Sequence, residues 1–300
     1  MNVVEKYYRF INVPSGDLRI SITDQCNMRC EYCHNEGQEK RNRYMSLDTI
    51  EFLVDNALRF GVHKVRLTGG EPLLHKDIHE ICKVLRNKKG IDLLGINTNG
   101  FCSQELLKIA NEHLVDQIVV GIDSFNNSIS KRSSIGPSPS EVLNTVLELK
   151  KLKHLIIEVD SVFGGDLKDT ADLVHWSVNN DVVIKILEEA NSNANPKDFD
   201  KLIPYFKDLY NLELGKDVHF NENYLFDSSS GKKKIIFYHS HCNRRDCEPC
   251  KKMHLRVSVN GCAKPCMLRS DTECYLLDDF DSSLSEAISY LGVPPENGNI

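Results

Sequence analysis

Short β-branched and aliphatic runs recur along the chain at Leu18–Thr23, Val62–Thr68, Leu93–Thr98, Ile118–Asp123, Leu155–Val162 and Val182–Leu187. Between them, apolar residues fall three and four apart, the period of a helix with one buried face. After Ser46, residues Leu47, Ile50, Val54, Ala57 and Leu58 share one face, and Gly61 can end the helix. Ser138-Pro139-Ser140-Glu141 reads as a capping box with proline at the first helical position, and Val142, Leu143, Val146 and Leu149 follow as the apolar face. Strands alternating with helices predict an α/β fold with a parallel sheet and crossover helices. The runs number six, short of the eight in a closed barrel. The expected architecture is therefore a curved, partial (βα)6 barrel over residues 1–195.

The pattern then changes. Residues 191–200 are polar and turn-rich, and Ser228–Lys234 reads as an exposed loop around Lys232, Lys233 and Lys234. Residues 196–235 are expected to connect the barrel to a carboxyl-terminal region. That region, 236–300, concentrates cysteines among few apolar residues. Burial alone would hold such a segment poorly, so a metal or cluster is expected to supply cohesion. No internal repeat is visible beyond the βα alternation.

Composition narrows the class. Hydrophobic residues at 41% and charged residues at 27% are those of a globular chain. No apolar run approaches the roughly 18–20 residues of a membrane span, and MNVVEKYYRFINVPSGD lacks the apolar core of a signal peptide. A cytoplasmic protein without a membrane partner is expected. The net charge of −6 weighs against nucleic acid as a partner.

Eleven cysteines are too many for chance packing in a reducing compartment, where they serve more often as ligands or catalytic groups than as disulfides. Cys82 sits on a helical apolar stripe and reads as core, as does Cys102. The other nine form an early group, Cys26, Cys30 and Cys33, and a late group, Cys242, Cys247, Cys250, Cys262, Cys266 and Cys274. The early CxxxCxxC follows the first strand. Three thiolates can hold three irons of a [4Fe–4S] cube and leave the fourth open, whereas four would saturate it. Structural zinc is the alternative, although it takes four ligands, usually as two close pairs. Thr68-Gly69-Gly70-Glu71-Pro72 and Thr98-Asn99-Gly100 end the second and third strands, where open α/β sheets place their ligands. Paired glycines there let backbone approach a small molecule, and a glutamate can accept from an ammonium group.

RISITDQCNMRCEYC, LTGGEPLL and NTNG resemble the radical S-adenosylmethionine (SAM) superfamily, and within it the GTP 3′,8-cyclase family of molybdenum cofactor biosynthesis. The resemblance implies that Cys26, Cys30 and Cys33 ligate a [4Fe–4S] cluster whose open iron chelates SAM. Tyr32 (through its backbone), Gly69, Gly70, Glu71 and Asn99 would hold the SAM. One electron from a flavodoxin- or ferredoxin-type donor would cleave SAM to methionine and a 5′-deoxyadenosyl radical, which takes hydrogen from the substrate. Cys247, Cys250 and Cys266 resemble the ligands of a second, C-terminal [4Fe–4S] cluster with one open iron, on a spacing slightly longer than the family's. Cys242, Cys262 or Cys274 could add a fourth ligand and turn that cluster from substrate binding to electron transfer, and zinc remains an alternative there too.

The resemblance also implies a nucleotide triphosphate held by Arg19, Lys64, Arg66, Lys185 and Arg256, with Thr98 and His254 beside them, and a homodimer stands among the expected partners. Several positions depart from the family. His254 stands for an arginine, Glu158 for a lysine, Gly121 for a serine and Ala190 for a methionine, and the chain closes on Asn297-Gly298-Asn299-Ile300 where a Gly-Gly tail is expected. A carboxylate at 158 would repel phosphate. A relative that modifies a peptide or nucleoside-type metabolite is the alternative reading.

Overall fold

A computed structural model describes residues 18–125, 138–190, 196–215, 221–228, 231–244, 246–252 and 254–294. The amino-terminal stretch, the polar turn at 191–195 and the terminal Asn297–Ile300 lie outside the described residues.

Six strands, β1 (Leu18–Thr23), β2 (Lys64–Gly69), β3 (Leu93–Thr98), β4 (Gln117–Gly121), β5 (Ile156–Phe163) and β6 (Val183–Glu188), pair in chain order and all in parallel. The helices between them are α1 (Leu47–Arg59), α2 (Ile78–Arg86), α3 (Ser103–Asn111), α4 (Pro139–Lys150) and α5 (Leu167–Asn180). Local signals behave as read. The Ser46 hydroxyl accepts from the Thr49 amide at the start of α1, and Gly61 follows its end with φ +75°. Ser138 and Glu141 form the reciprocal capping box of α4.

Alternate residues of each strand divide two environments. Ile20, Leu67, Ile96, Ile118, Val159 and Ile184 are fully buried with Leu53, Ile81, Ile109, Val146 and Leu173 of the helices. Each such side chain stabilises the fold by ~1.5–3 kcal/mol. Cys82 belongs to this core, and burial pushes its thiol well up. The intervening strand positions carry the sheet's polar side chains, Arg19 and Ser21, Arg66 and Thr68, Asn97, Gln117, Glu158 and Asp160, and Lys185, among apolar ones such as Val119 and Val183. This inner face is where a site can form.

The sheet does not stop at β6. Helices α6 (Pro196–Asp200) and α7 (Leu202–Tyr210) lead to β7 (Glu213–Leu214) and to a hairpin of β8 (Asn221–Ser228) and β9 (Gly231–Tyr238), with β9 parallel to β6. The loop expected at Ser228–Lys234 is thus mostly strand. Apolar residues outside that window decide it, because Tyr224, Phe226, Ile235 and Phe237 are buried and pair Lys232–Lys234 with Leu225–Asp227 across the hairpin. At the opposite side β10 (Leu255–Val257) adds in parallel to β1, followed by antiparallel β11 (Cys262–Ala263) and β12 (Cys274–Tyr275), then α8 (Phe280–Tyr290). Among the described residues, twelve strands in the order β12-β11-β10-β1-β2-β3-β4-β5-β6-β9-β8-β7 form one sheet. Among the described residues no helix is long and apolar enough to cross a membrane.

Candidate active site

The early cysteine loop leaves the carboxyl end of β1 and is tied down at several points. Asp24, fully buried, accepts from the Arg43 amide at 2.7 Å and its Nε at 2.8 Å. The Gly70 amide donates to Thr23 O and the Glu71 amide to Gln25 O, both at 2.8 Å. The Tyr32 hydroxyl donates to Asp123 beyond β4, and Asp123 accepts from the Val162 amide at 2.9 Å. These contacts explain the paired glycines differently from the sequence. A Cβ on Gly69 would lie 2.1 Å from Thr23 O, and one on Gly70 2.2 Å from Gln25 O. The close approach that demands glycine is made by the chain's own backbone.

Within the loop the Met28 amide donates to Cys26 Sγ at 3.3 Å and the Cys33 amide to Cys30 O at 3.2 Å. Burial pushes the Cys26 thiol up, opposed by the Met28 amide. Asn99 extends from the end of β3 to the same place, with Nδ2 2.9 Å from Asn27 Oδ1 and 4.0 Å from Cys26 Sγ. Cys26 and Cys30 are half-buried and Cys33 is exposed. Among the described residues no three Cys, His, Asp or Glu side chains meet as ligands of a single metal ion. A cube does not need that convergence, since each thiolate binds its own iron. The donor set, three thiols on one anchored loop with an amide aimed at sulfur, fits such a cluster.

Glu71 is the keystone of this end. Its carboxylate accepts from the Thr98 hydroxyl at 2.7 Å, the Asn99 amide at 2.7 Å and the Leu73 amide at 3.0 Å. Burial raises its pKa to about 7 despite those three donors. With roughly four lone-pair positions on a carboxylate, one remains for a ligand. Thr98 is committed here, its hydroxyl also accepting from the Gly100 amide at 3.0 Å. It stands with Glu71 and not with the cations.

The cations do gather. Register places Arg256 of β10, Arg19 of β1 and Arg66 of β2 in one row across three strands. His254 precedes β10, with its Nε2 3.4 Å from Arg19 Nη1. Burial and the nearby Arg256, Arg19, Arg66 and Lys185 charges hold it neutral, well below the usual histidine range. Arg66 donates to Asn97 Oδ1 and Gln117 Oε1, each at 3.0 Å. Lys64 is half-buried on the same face of β2, two residues before Arg66.

Of the acidic side of this set, the sequence showed Glu158 but not Glu36 or Asp160. Glu36, almost fully buried, meets Arg19 Nη2 at 2.7 Å and Arg256 Nε at 3.1 Å, and accepts from the Thr68 hydroxyl at 3.1 Å. Burial works to raise its pKa, but Arg19, Arg256, His34 and Thr68 outweigh it and bring it down to about 2. Its backbone is unusual: Asn35, Glu36 and Gly37 have φ of 48°, 54° and 75°. The Asn-Glu-Gly string is a faint turn signal, and only the fold shows where its carboxylate goes. At the other side Lys185 Nζ lies 2.6 Å from Glu158 Oε1 and 3.7 Å from Asp160 Oδ1. Burial raises Asp160, whereas Lys185 outweighs burial at Glu158 and lowers it. Gly121 has room for a larger residue, its nearest prospective neighbour being Thr98 O at 3.7 Å.

The late cysteines lie between β9 and β12. Cys247 and Cys250 flank the start of a short 3₁₀ turn, with the Cys250 amide donating to Cys247 O at 3.0 Å. Burial raises both thiols, Cys250 to about 11, and each feels the charge of Cys266. These three thiols also fit a cluster by their number and kind.

A family model described as the radical SAM superfamily matches residues 20–176. The GTP 3′,8-cyclase of Limosilactobacillus fermentum is 28% identical over 285 residues, covering 88% of this chain and 83% of that relative. In solved structures, Streptococcus suis SuiB bound to precursor peptide SuiA aligns over 98% of this chain and 69% of its own, with TM-score 0.68 and 14% identity. Native anSMEcpe with bound AdoMet aligns over 90% and 79%, with TM-score 0.63 and 15% identity.

Proposed function

Because the chain belongs to the radical SAM superfamily, we propose that Cys26, Cys30 and Cys33 hold its [4Fe–4S] cluster and that it abstracts hydrogen from a small polar substrate on the inner face of the sheet. When bound, the cluster and SAM supply one-electron cleavage to methionine and a 5′-deoxyadenosyl radical, fed by a flavodoxin- or ferredoxin-type donor. The observation that carries the reading is the junction at the strand ends. Asn99 touches the cysteine loop with its side chain and Glu71 with its backbone amide. One coordination position on Glu71 remains for an ammonium group, and Gly69, Gly70 and the Tyr32 backbone line the same end. The chain's own task is to orient SAM there and to keep the radical beside the substrate and away from water.

The substrate in this reading is a nucleotide, as the name of the GTP 3′,8-cyclase relatives suggests, with Arg19, Lys64, Arg66, Lys185 and Arg256 receiving phosphate and His254 beside them. Buried polar atoms support a polar occupant. Among the described residues Ser21 Oγ and Asp160 Oδ1 have no hydrogen-bond partner. A second reading draws on the carboxylates. Glu36 already bridges Arg19 and Arg256, and Glu158 and Asp160 already face Lys185. That balance suits a peptide or nucleoside-type metabolite carrying a positive group of its own better than a triphosphate. Cys247, Cys250 and Cys266 would hold a second cluster in either case.

Anaerobic incubation with SAM, dithionite and GTP, followed by mass spectrometry for 5′-deoxyadenosine, separates the readings. A GTP-dependent rise over the substrate-free rate supports the nucleotide. SAM cleavage that GTP leaves unchanged supports the second reading, and no SAM cleavage at all overturns both.

A further inference from the structure

Three late cysteines were candidates for a fourth ligand, and the fold separates them. Cys262 and Cys274 are buried on the antiparallel pair β11–β12, where Ala263 and Cys274 are register partners. Cys274 Sγ lies 3.7 Å from Thr272 O, and its charged neighbours are Glu286 and Cys262. The groups that act most on Cys262 are Tyr275, Glu273, Lys264 and Ser258, those of the β11–β12 pair and its turn.

Cys242 is placed otherwise. It sits in the turn after β9, and that turn is fastened to the end of β6. The Ser240 amide donates to Glu188 Oε2 at 2.8 Å, Asn243 Nδ2 to Glu188 Oε1 at 3.3 Å, and Arg244 pairs with the same carboxylate. The Asp246 amide then donates to His241 O at 3.0 Å, closing a short loop that brings residue 242 back beside residue 247. Cys242 is half-buried, like Cys247, Cys250 and Cys266. It lies within electrostatic reach of Cys266 and Cys247, and Cys250 within reach of all three. Tyr238, on the preceding strand, lies within electrostatic reach of both Cys242 and Cys250.

We propose that Cys242 is the fourth thiolate of the second cluster, so that the turn pinned by Glu188 closes a Cys242–Cys247–Cys250–Cys266 set and leaves no iron open there. The proposal rests on the second cluster named above and changes its role. An iron cube with four cysteine ligands has no position for substrate and is suited to passing electrons.

The test uses the full chain carrying Cys26→Ala, Cys30→Ala and Cys33→Ala, so that any remaining cluster is the second one. After anaerobic reconstitution, iron and sulfide are counted, and the reduced protein is examined by electron paramagnetic resonance with and without cyanide, a ligand for an open iron. The expected parent holds about four irons per chain, and its spectrum does not move with cyanide. Adding Cys242→Ala is expected either to create a cyanide-dependent shift or to lose the iron, while Cys262→Ala and Cys274→Ala do neither. A parent that already shifts with cyanide, or a Cys242→Ala protein indistinguishable from it, overturns the fourth ligand while leaving the cluster standing. A parent without iron, or with zinc in its place, overturns the second cluster and this proposal together.

Discussion

The two cysteine regions are built on opposite principles. The early loop rises from β1 in the middle of a parallel sheet, flanked by β2 and β10 and anchored through Asp24, Gly70, Glu71 and Tyr32. Of the late cysteines, Cys262 and Cys274 lie on strands of two residues each, β11 and β12, toward one edge, while Cys242, Cys247, Cys250 and Cys266 lie in the turns between β9 and β12. Order in the first region comes from a core that exists without metal. In the second the strands are short, and the proposed cluster would add to the burial of Leu255, Val257, Leu276 and Phe280 in holding it together. The teaching is that the same ligand chemistry can be laid on a finished scaffold or can help to finish one.

Metal removal should expose that contrast most strongly. Hydrogen exchange on the cluster-free protein is expected to show loss of protection through residues 239–275, with β1–β4 still protected. Equal loss in both regions would break the comparison. Replacing Cys26, Cys30 and Cys33 by alanine should abolish SAM cleavage while leaving the melting temperature of the cluster-free protein nearly unchanged.

Substitutions in the scaffold come next in size. Gly69→Ala puts a Cβ 2.1 Å from Thr23 O at a φ of +141°, so it should cost at least about 3 kcal/mol in urea unfolding. Glu36→Gln tests the link between the regions, since Glu36 follows the early cysteines yet grips Arg256, which lies between Cys250 and Cys262. Removing the carboxylate these arginines share should cost about 3–5 kcal/mol. The same change should strengthen binding of tripolyphosphate, measured by calorimetry, and a variant that binds no better would argue against a phosphate site.

Acidity sharpens the comparison further, because two buried carboxylates shift in opposite directions. Glu36 lies near 2 against an ordinary 4.5, so its stabilisation is present above about 4.5 and is lost as pH falls toward 2. Glu71 lies near 7, so its contribution is full below about 4.5 and is lost as pH rises through 7. Unfolding of the cluster-free protein should therefore show a loss toward acid that Glu36→Gln removes, and a decline toward neutrality that Glu71→Gln removes. The smallest effect is the helix cap far from both regions. Ser138→Ala should cost ~1 kcal/mol and leave SAM cleavage unchanged.

Much of the molecule is written locally. Strand runs, the α1 and α4 caps and the early CxxxCxxC can be read because each depends on residues within a few positions: alternation, period, cap geometry and ligand spacing. The glycine pair was legible as a close approach, but not what approaches, since Thr23 and Gln25 meet it only across the sheet. The Ser228–Lys234 hairpin was hidden because its lysines carry the loop signal while the deciding burial lies in Tyr224, Phe226, Ile235 and Phe237.

The amino-acid order by itself determined the parallel α/β plan, the family and which side chains are cationic. Tertiary structure alone decided that Arg256, Arg19 and Arg66 stand in a row, that Glu36 neutralises two of them, and that the turn carrying Cys242 is brought within electrostatic reach of Cys247 and Cys266. The reason is physical. Charge compensation and ligand gathering depend on distance in space, and here the partners are brought together by strand register and by a turn pinned to Glu188 from far along the chain.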